Sequence, residues 1–411
     1  MDATDQPRSL PWISRLVGID TTSRNSNREL IDLVAAECRR LGLEPHLFDS
    51  PDGIKANLVV TVPDRDGGRT GGVVISGHTD VVPVDGQAWT GDPFEVRVAD
   101  GKLYGRGVAD MKGYIGAALE ALPRFVEASL SRPVHLALTY DEEVGCLGGD
   151  AIVKQIAQLG LMPEVALVGE PTSMQVVSFH KSMNVVRLDF TGVASHSSLT
   201  PQGVNAIEAA AEAVAYLSGI ARDWLENGPF DDGFVVPYST LSVNMISGGT
   251  AQNIVPAEAS VVFEFRTLPE VDPHDVIDAV RAEVERIDST LSGRNPAAGA
   301  TLTVLAQVPG LANTGTAAPE LAASIGAAGQ GPKVTYGTEA GQFLASGVEA
   351  IVCGPGDIAQ AHTPDEWVTI EQIEACETYF DNLLAHLTAP PPRRLRRAGV
   401  AGGQPSGDGL G

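Results

Sequence analysis

Short apolar runs alternate along this chain with stretches in which apolar residues recur every three or four positions, and that alternation predicts strands and helices in succession. The first clear helix begins near Ser26. Ser26-Asn27-Arg28-Glu29 has the form of a capping box, Leu30, Leu33, Val34 and Leu41 fall on one face, and Gly42 stands where a C′ glycine ends a helix. Val73-Val74-Ile75-Ser76 predicts a strand running into His78, and residues 114–126 predict a helix. His135-Leu136-Ala137-Leu138-Thr139-Tyr140 predicts a strand running into Asp141, and Val165-Ala166-Leu167-Val168 one running into Glu170. Strand, polar loop residue and helix in repetition is the α/β pattern, whose sites gather at the carboxyl ends of the strands.

From about residue 182 the texture changes. Strands are expected over 184–193, 239–246 and 260–266, with helices over 204–224 and 273–287. Two strand-helix-strand units in succession imply a small α+β domain inserted into the first. After about residue 296 the larger pattern is expected to resume, with strands near 301–308, 333–336 and 350–353 and a final helix over 370–386. Residues 390–411 are rich in Pro, Gly and Arg and read as a disordered tail. Arg393, Arg394, Arg396 and Arg397 make it basic, and it reads as a solvated segment.

Composition narrows the function. A chain of 411 residues buries a large core and is expected to hold more than one domain. Its net charge of −24 argues against nucleic acid as a partner, since phosphate binding needs a basic face. Cys38, Cys146, Cys353 and Cys376 are far apart and form no CxxC pair, so they read as buried thiols. The acidic, polar start is not a secretory apolar region, and no run approaches a membrane span. The cytoplasm is the expected compartment, with no membrane partner.

Candidate chemistry sits where predicted strands run out: Gly77-His78-Thr79-Asp80, Gly107 through Asp110-Met111-Lys112-Gly113, Asp141-Glu142-Glu143, Gly169-Glu170-Pro171-Thr172 and Gln360-Ala361-His362. Two imidazoles and several carboxylates beside Gly-containing turns are the donor set of a two-zinc hydrolytic site, in which one carboxylate bridges the ions. Residues i and i+2 of an extended chain share a face, so Asp80 can reach the His78 imidazole and fix its tautomer. Adjacent extended residues point apart, so of Glu142 and Glu143 one can bind metal while the other faces substrate. Locally, other readings stay open. Asp110 can be a helix N-cap, Glu142 and Glu143 surface carboxylates, Glu170 the end of a strand, and His362 a cap on the last strand.

These motifs resemble the M20 family of co-catalytic zinc metallohydrolases. The resemblance runs through Ser76-Gly77-His78-Thr79-Asp80-Val81-Val82-Pro83, Leu103-Tyr104-Gly105-Arg106-Gly107, Asp110-Met111-Lys112-Gly113, Asp141-Glu142-Glu143 and Gly169-Glu170-Pro171-Thr172-Ser173. It covers nearly the whole chain to about His386. Within the family, Pro237-Tyr238, Arg266-Thr267-Leu268-Pro269 and Gly337-Thr338-Glu339-Ala340 are similar to the acetylornithine deacetylase branch.

The resemblance implies an α/β fold. A mixed-sheet catalytic domain would comprise residues 1–181 and 296–389, and a smaller α+β lid and dimerisation domain residues 182–295. It implies that His78 and Glu170 hold one zinc, Glu143 and His362 the other, and Asp110 both, with cobalt able to substitute and a cis peptide after Asp110. Glu142 would be the general base, assisted by Asp80. His196, in Ser195-His196-Ser197-Ser198, would stabilise the tetrahedral intermediate, in some members across a dimer interface. Arg266 and Asn253 would receive the substrate carboxylate, and Glu339 would read a side-chain ammonium, directly or through water. The implied activity is removal of an acyl group from a small N-acyl amino acid by a homodimer. Desuccinylases, aminoacylases and dipeptidases of the same family are the alternatives, and a non-catalytic binding protein of the same fold a further one.

Overall fold

Six strands lie side by side in the order His46–Asp49, Ala56–Val62, Val134–Thr139, Val73–His78, Val165–Pro171 and Glu349–Gly354. The first two pairings are antiparallel and the remaining three parallel, so the sheet is mixed. The structure is a computed structural model and describes residues 6–389. The expected tail at 390–411 lies outside the described residues.

The inner strands read as continuous apolar runs because both faces of the sheet are covered. Ala56–Val62, Val73–His78, Val134–Thr139 and Val165–Pro171 are buried at every position. The helices Arg28–Arg40, Lys112–Glu127 and Ile370–Thr388 place Leu30, Val34, Tyr114, Phe125, Phe380 and Leu383 in the core on one face. On the other face Leu147–Gln158 and Ala340–Ala345 contribute Ile152, Ile156 and Phe343. Each side chain fully removed from water in this way stabilises the fold by about 1.5–3 kcal/mol.

The helix expected near Ser26 starts at Arg28, and the capping box does not form. The N-cap residue Asn27 bonds instead to the first sheet. Its amide donates to the Ala56 carbonyl and to Thr79 Oγ1, each at 2.9 Å, and its Oδ1 accepts from the Ala56 N–H. A cap was exchanged for a stitch between helix and strand. Gly42 does follow the helix in the left-handed region, at φ 79°.

Four antiparallel strands make the second sheet, in the order Thr240–Gly248, Glu258–Arg266, Met183–Thr191, Gly299–Val308. The long helices Ala206–Asn227 and Pro273–Arg294 cover one face, burying Leu217, Trp224, Val280, Val284 and Ile287 against Leu188, Val261 and Phe263. The expected boundary at 295 is therefore too early. Gly299–Val308 pairs with Met183–Thr191 and completes the smaller sheet, so the larger fold resumes only after Val308. The strand expected near 333–336 is also absent. Lys333 and Val334 make single bridges, to Phe234 and His180, and Pro332 has no N–H with which to extend a ladder.

All four cysteines are free and buried. Among the described residues no helix is long and apolar enough to cross a membrane. For the site, the decisive feature is that Val134–Thr139, Val73–His78 and Val165–Pro171 are parallel neighbours, so the residues following them emerge at one edge of the sheet.

Candidate active site

His78 is the last residue of its strand and stands opposite Thr139. Asp141, Glu142 and Glu143 follow the Thr139 strand, and Glu170 occupies the neighbouring strand on the other side. Asp110 ends the loop before Lys112–Glu127. The helix N-cap is Met111, so Asp110 does not act as one, and the Asp110–Met111 peptide is cis. His362 arrives from the far end of the chain, two residues beyond the turn Ile358–Gln360, in the left-handed region at φ 60°.

These residues converge in two groups that share Asp110: His78, Asp110 and Glu170, and Asp110, Glu143 and His362. Asp110 Oδ1 lies 2.9 Å from His78 Nε2, while Asp110 Oδ2 lies 3.2 Å from His362 Nε2. His78 Nε2 is 3.6 Å from Glu170 Oε1, and His362 Nε2 is 3.1 Å from Glu143 Oε2. Donor atoms bound tetrahedrally at about 2.0–2.2 Å from zinc stand roughly 3.4 Å apart, so both groups have the spacing of a divalent-ion site. Glu170 Oε1 is moreover a buried oxygen with no hydrogen-bond donor.

The electrostatics agree. Asp80, Asp110, Glu142, Glu143 and Glu170 crowd around two imidazoles. Burial and the nearby Asp110 push Glu143 up to about 7 and Glu170 up to about 8. Glu142 is raised well above the ordinary carboxylate range by burial and by Glu170. His362 is raised to about 10 by its bonds to Asp110 and Glu143. For His78, burial works against the charged form, but Glu170, Asp110 and Asp80 outweigh it and raise the imidazole well above its usual range. Five carboxylates and two imidazoles at one sheet edge make a site that favours added positive charge.

Glu142 belongs to neither group. Its Oε1 accepts from the Cys146 thiol at 3.2 Å. Asp80 does approach His78, with Oδ1 3.5 Å from Nδ1, but the closer partner of Nδ1 is the Asp80 carbonyl at 3.0 Å.

Four remaining sequence expectations fall outside this cluster. His196 is exposed, and its Nδ1 lies 2.8 Å from Ser198 Oγ. Asn253 is exposed, and its carbonyl accepts from the Ser197 N–H. Arg266 ends its strand and donates to Glu264 at 2.6 Å and to the Thr335 carbonyl at 3.2 Å. Glu339 is near the site but only 1% exposed, and its Oε2 accepts from Ser76 Oγ at 3.3 Å. With that burial, a substrate ammonium meets Glu339 directly only after a rearrangement that exposes it.

Three supporting residues went unnoticed in the sequence. Lys55 binds Asp141 and the Ser23 carbonyl, Cys146 binds Glu142, and Glu366 binds the loop that carries Asp110. Only Glu366 had a signal, as a second acid four residues after His362 in a segment with few other charges.

The family model described as peptidase family M20/M25/M40 matches residues 74–386. An acetylornithine deacetylase from Myxococcus xanthus is 34% identical over 380 residues, covering 91% of this chain and 96% of the relative. Among solved structures, an M20 family metallo-carboxypeptidase from Sulfolobus solfataricus superposes with a TM-score of 0.70 at 18% identity, covering 93% of this chain and 99% of the other. A Bacillus subtilis protein described as a dinuclear metal binding peptidase from the M20 family gives 0.60 at 16% identity, over 92% and 98%. The chain belongs to peptidase family M20/M25/M40 and is a hydrolase of that family.

Proposed function

We propose that this enzyme removes the acetyl group from an N-acetyl amino acid, with N2-acetyl-L-ornithine as substrate and L-ornithine and acetate as products, a step of arginine biosynthesis. The observation that carries the chemistry is the pair of donor groups joined by Asp110, with Glu142 beside them and in neither. The likeness to a deacetylase over nine-tenths of the chain supports the acyl group and the amino acid.

His78, Asp110 and Glu170 would hold one divalent ion and Asp110, Glu143 and His362 a second, both zinc, with cobalt a competent substitute. When bound, such a pair supplies Lewis acidity and a water acidic enough to ionise near neutral pH. The protein does the rest. Asp80 holds the His78 imidazole and the Glu142 turn in place. Glu142 takes a proton from the attacking water and hands it to the amide nitrogen as the C–N bond breaks, so that one residue serves as base and then acid. His196 donates to the oxyanion from a loop of the smaller unit. Arg266 and Asn253 receive the α-carboxylate, for which the planar guanidinium is suited. The working form would be a homodimer.

A panel of N-acetyl, N-succinyl and free dipeptide substrates, assayed with zinc and with cobalt, tests the reading. Acetylornithine should give the highest kcat/KM. A preference for succinyl-diaminopimelate or for dipeptides would replace it with another activity of the family.

A further inference from the structure

The loop that carries Asp110 is held by a carboxylate that is itself a member of neither donor group. Glu366 is 1% exposed, and each of its oxygens accepts twice. Oε1 takes the N–H of Ala109 at 2.9 Å and of Asp110 at 3.1 Å. Oε2 takes the N–H of Gly107 at 3.0 Å and Arg106 Nη1 at 2.7 Å. The Glu366 carbonyl also accepts from the Gly105 N–H at 3.0 Å. Three backbone donors and one guanidinium on a single buried carboxylate leave the loop little freedom, because releasing any one strands a buried polar group.

The same carboxylate is linked to His362. Arg106, also 1% exposed, passes its other arm to Gln87, with Nη2 donating to Oε1 at 2.6 Å. Trp89 Nε1 donates to the same Gln87 oxygen at 3.0 Å, and the Arg106 guanidinium lies 5.1 Å from the Trp89 ring centre. Gln87 Nε2 then donates to the His362 carbonyl at 3.2 Å. Glu366, Arg106 and Gln87 thus form one continuous connection between the Asp110 loop and the His362 loop.

We infer that Glu366 is a positioning residue that sets the distance between Asp110 and His362, and so governs the second donor group more than the first. This rests on the reading of the two groups as a pair of metal sites. Two of the three members of the second group, Asp110 and His362, depend on this connection. In the first group only Asp110 does, since His78 and Glu170 are fixed on neighbouring strands of the central sheet. Residues that orient ligands from behind alter metal affinity when changed, and here the alteration is unequal.

The test titrates metal-free wild type and Glu366→Gln with zinc by calorimetry and with cobalt by visible absorption, counting bound metal by emission spectroscopy. Wild type should take up two equivalents. Glu366→Gln should bind the first within about threefold of wild type and the second roughly 10–100-fold more weakly, with a one-ion cobalt spectrum at intermediate concentrations. Equal affinities in the two proteins, or equal losses at both sites, overturn the inference. A wild type that binds fewer than two equivalents overturns the two-ion reading and the inference with it. Should Glu366→Gln not fold, Gln87→Ala decides, because that side chain is only half-buried. It should weaken the second equivalent selectively, and an unchanged ratio of the two affinities overturns the inference.

Discussion

The backbone N–H of Glu142 donates to Asp80 Oδ1 at 3.0 Å, and the next N–H, of Glu143, donates to Asp80 Oδ2 at 3.3 Å. Ser23 Oγ adds a third bond to Oδ2 at 2.7 Å. Asp80 therefore positions the turn bearing Glu142 and Glu143 as well as approaching the His78 ring. Its carboxyl is held below the ordinary range because the bonds and charge of His78, with the Ser23 and Glu142 donors, outweigh the cost of burial. Asp80→Ala should lower both metal affinity and kcat/KM by roughly 10–100-fold. Asp80→Asn should recover little, since its amide nitrogen would face one of the two backbone donors. Metal titration beside steady-state kinetics checks this. A wild-type metal affinity in Asp80→Ala would leave Asp80 as a buried carboxylate without influence on the site.

Metal removal should abolish activity, and zinc or cobalt should restore it. The carboxyl shifts add a pH dependence with a definite sign. Glu143 and Glu170 sit at about 7 and about 8 in the folded chain, against 4.5 for an ordinary glutamate, so between those limits the folded metal-free protein binds more protons than the unfolded one. Stability then falls as pH rises. His362, raised to about 10 from 6.5, adds stability that is present below the unfolded value and is lost as pH climbs through the folded one. Asp80 and Asp110 are lowered, so their contributions are already complete above about pH 5. The metal-free protein should melt at a lower temperature at pH 8 than at pH 6, and zinc should raise the midpoint more at pH 8. Calorimetric scans at both values, with and without zinc, provide the comparison. A metal-free protein that gains stability over this range would contradict the crowding of carboxylates.

Glu142 and Glu143 are adjacent in sequence and distinct in surroundings. Glu142→Ala should leave metal content nearly intact and cut kcat by roughly 10²–10⁴, the usual worth of a positioned general base. Glu143→Ala should lose one equivalent of metal, because it removes a member of the second group. Metal analysis of both variants decides. Loss of metal from Glu142→Ala with retention in Glu143→Ala would exchange the two roles.

How much of this could be read beforehand follows from what each residue does. That His78, Asp110, Glu143, Glu170 and His362 come together was legible because residues that meet at one end of a sheet must follow strands and turns, and those leave local patterns. The order of strands leaves none. Gly299–Val308 follows a helix of the smaller unit and returns to pair with Met183–Thr191 more than a hundred residues earlier, so its place in that sheet was not legible. Lys55, Cys146 and Glu366 were missed for a related reason. They serve the site by bonding to groups outside their own local motifs, and such a partner has no signature in the surrounding sequence.

Glu339 is a residue whose surroundings, more than the local pattern around it, decide what it can do. It is buried against Ser76, and burial raises its carboxyl above the ordinary range despite the bond from Ser76. Glu339→Gln should therefore change kcat/KM for acetylornithine and for N-acetyl amino acids with neutral side chains by the same factor. A loss confined to acetylornithine would return Glu339 to the role of reading the ammonium, reached through a rearrangement that exposes it.

His196 stands apart from the donor groups, exposed on the smaller unit beside Ile254, with which it makes an isolated bridge. None of its hydrogen bonds reaches Glu142 or either donor group. If it acts on the oxyanion, its bond forms mainly in the transition state, so His196→Ala should lower kcat more than it raises KM. The same separation makes action on a partner's site the testable form of the dimer proposal. Pairing inactive His196→Ala with inactive Glu142→Ala subunits should then restore up to about half of wild-type activity in the purified hybrid, since each hybrid holds one of its two sites with both residues intact. The measurement needs differently tagged subunits, so that heterodimers are purified before assay. Active hybrids would assign His196 to the neighbouring subunit's site, whereas verified heterodimers without activity would confine it to its own.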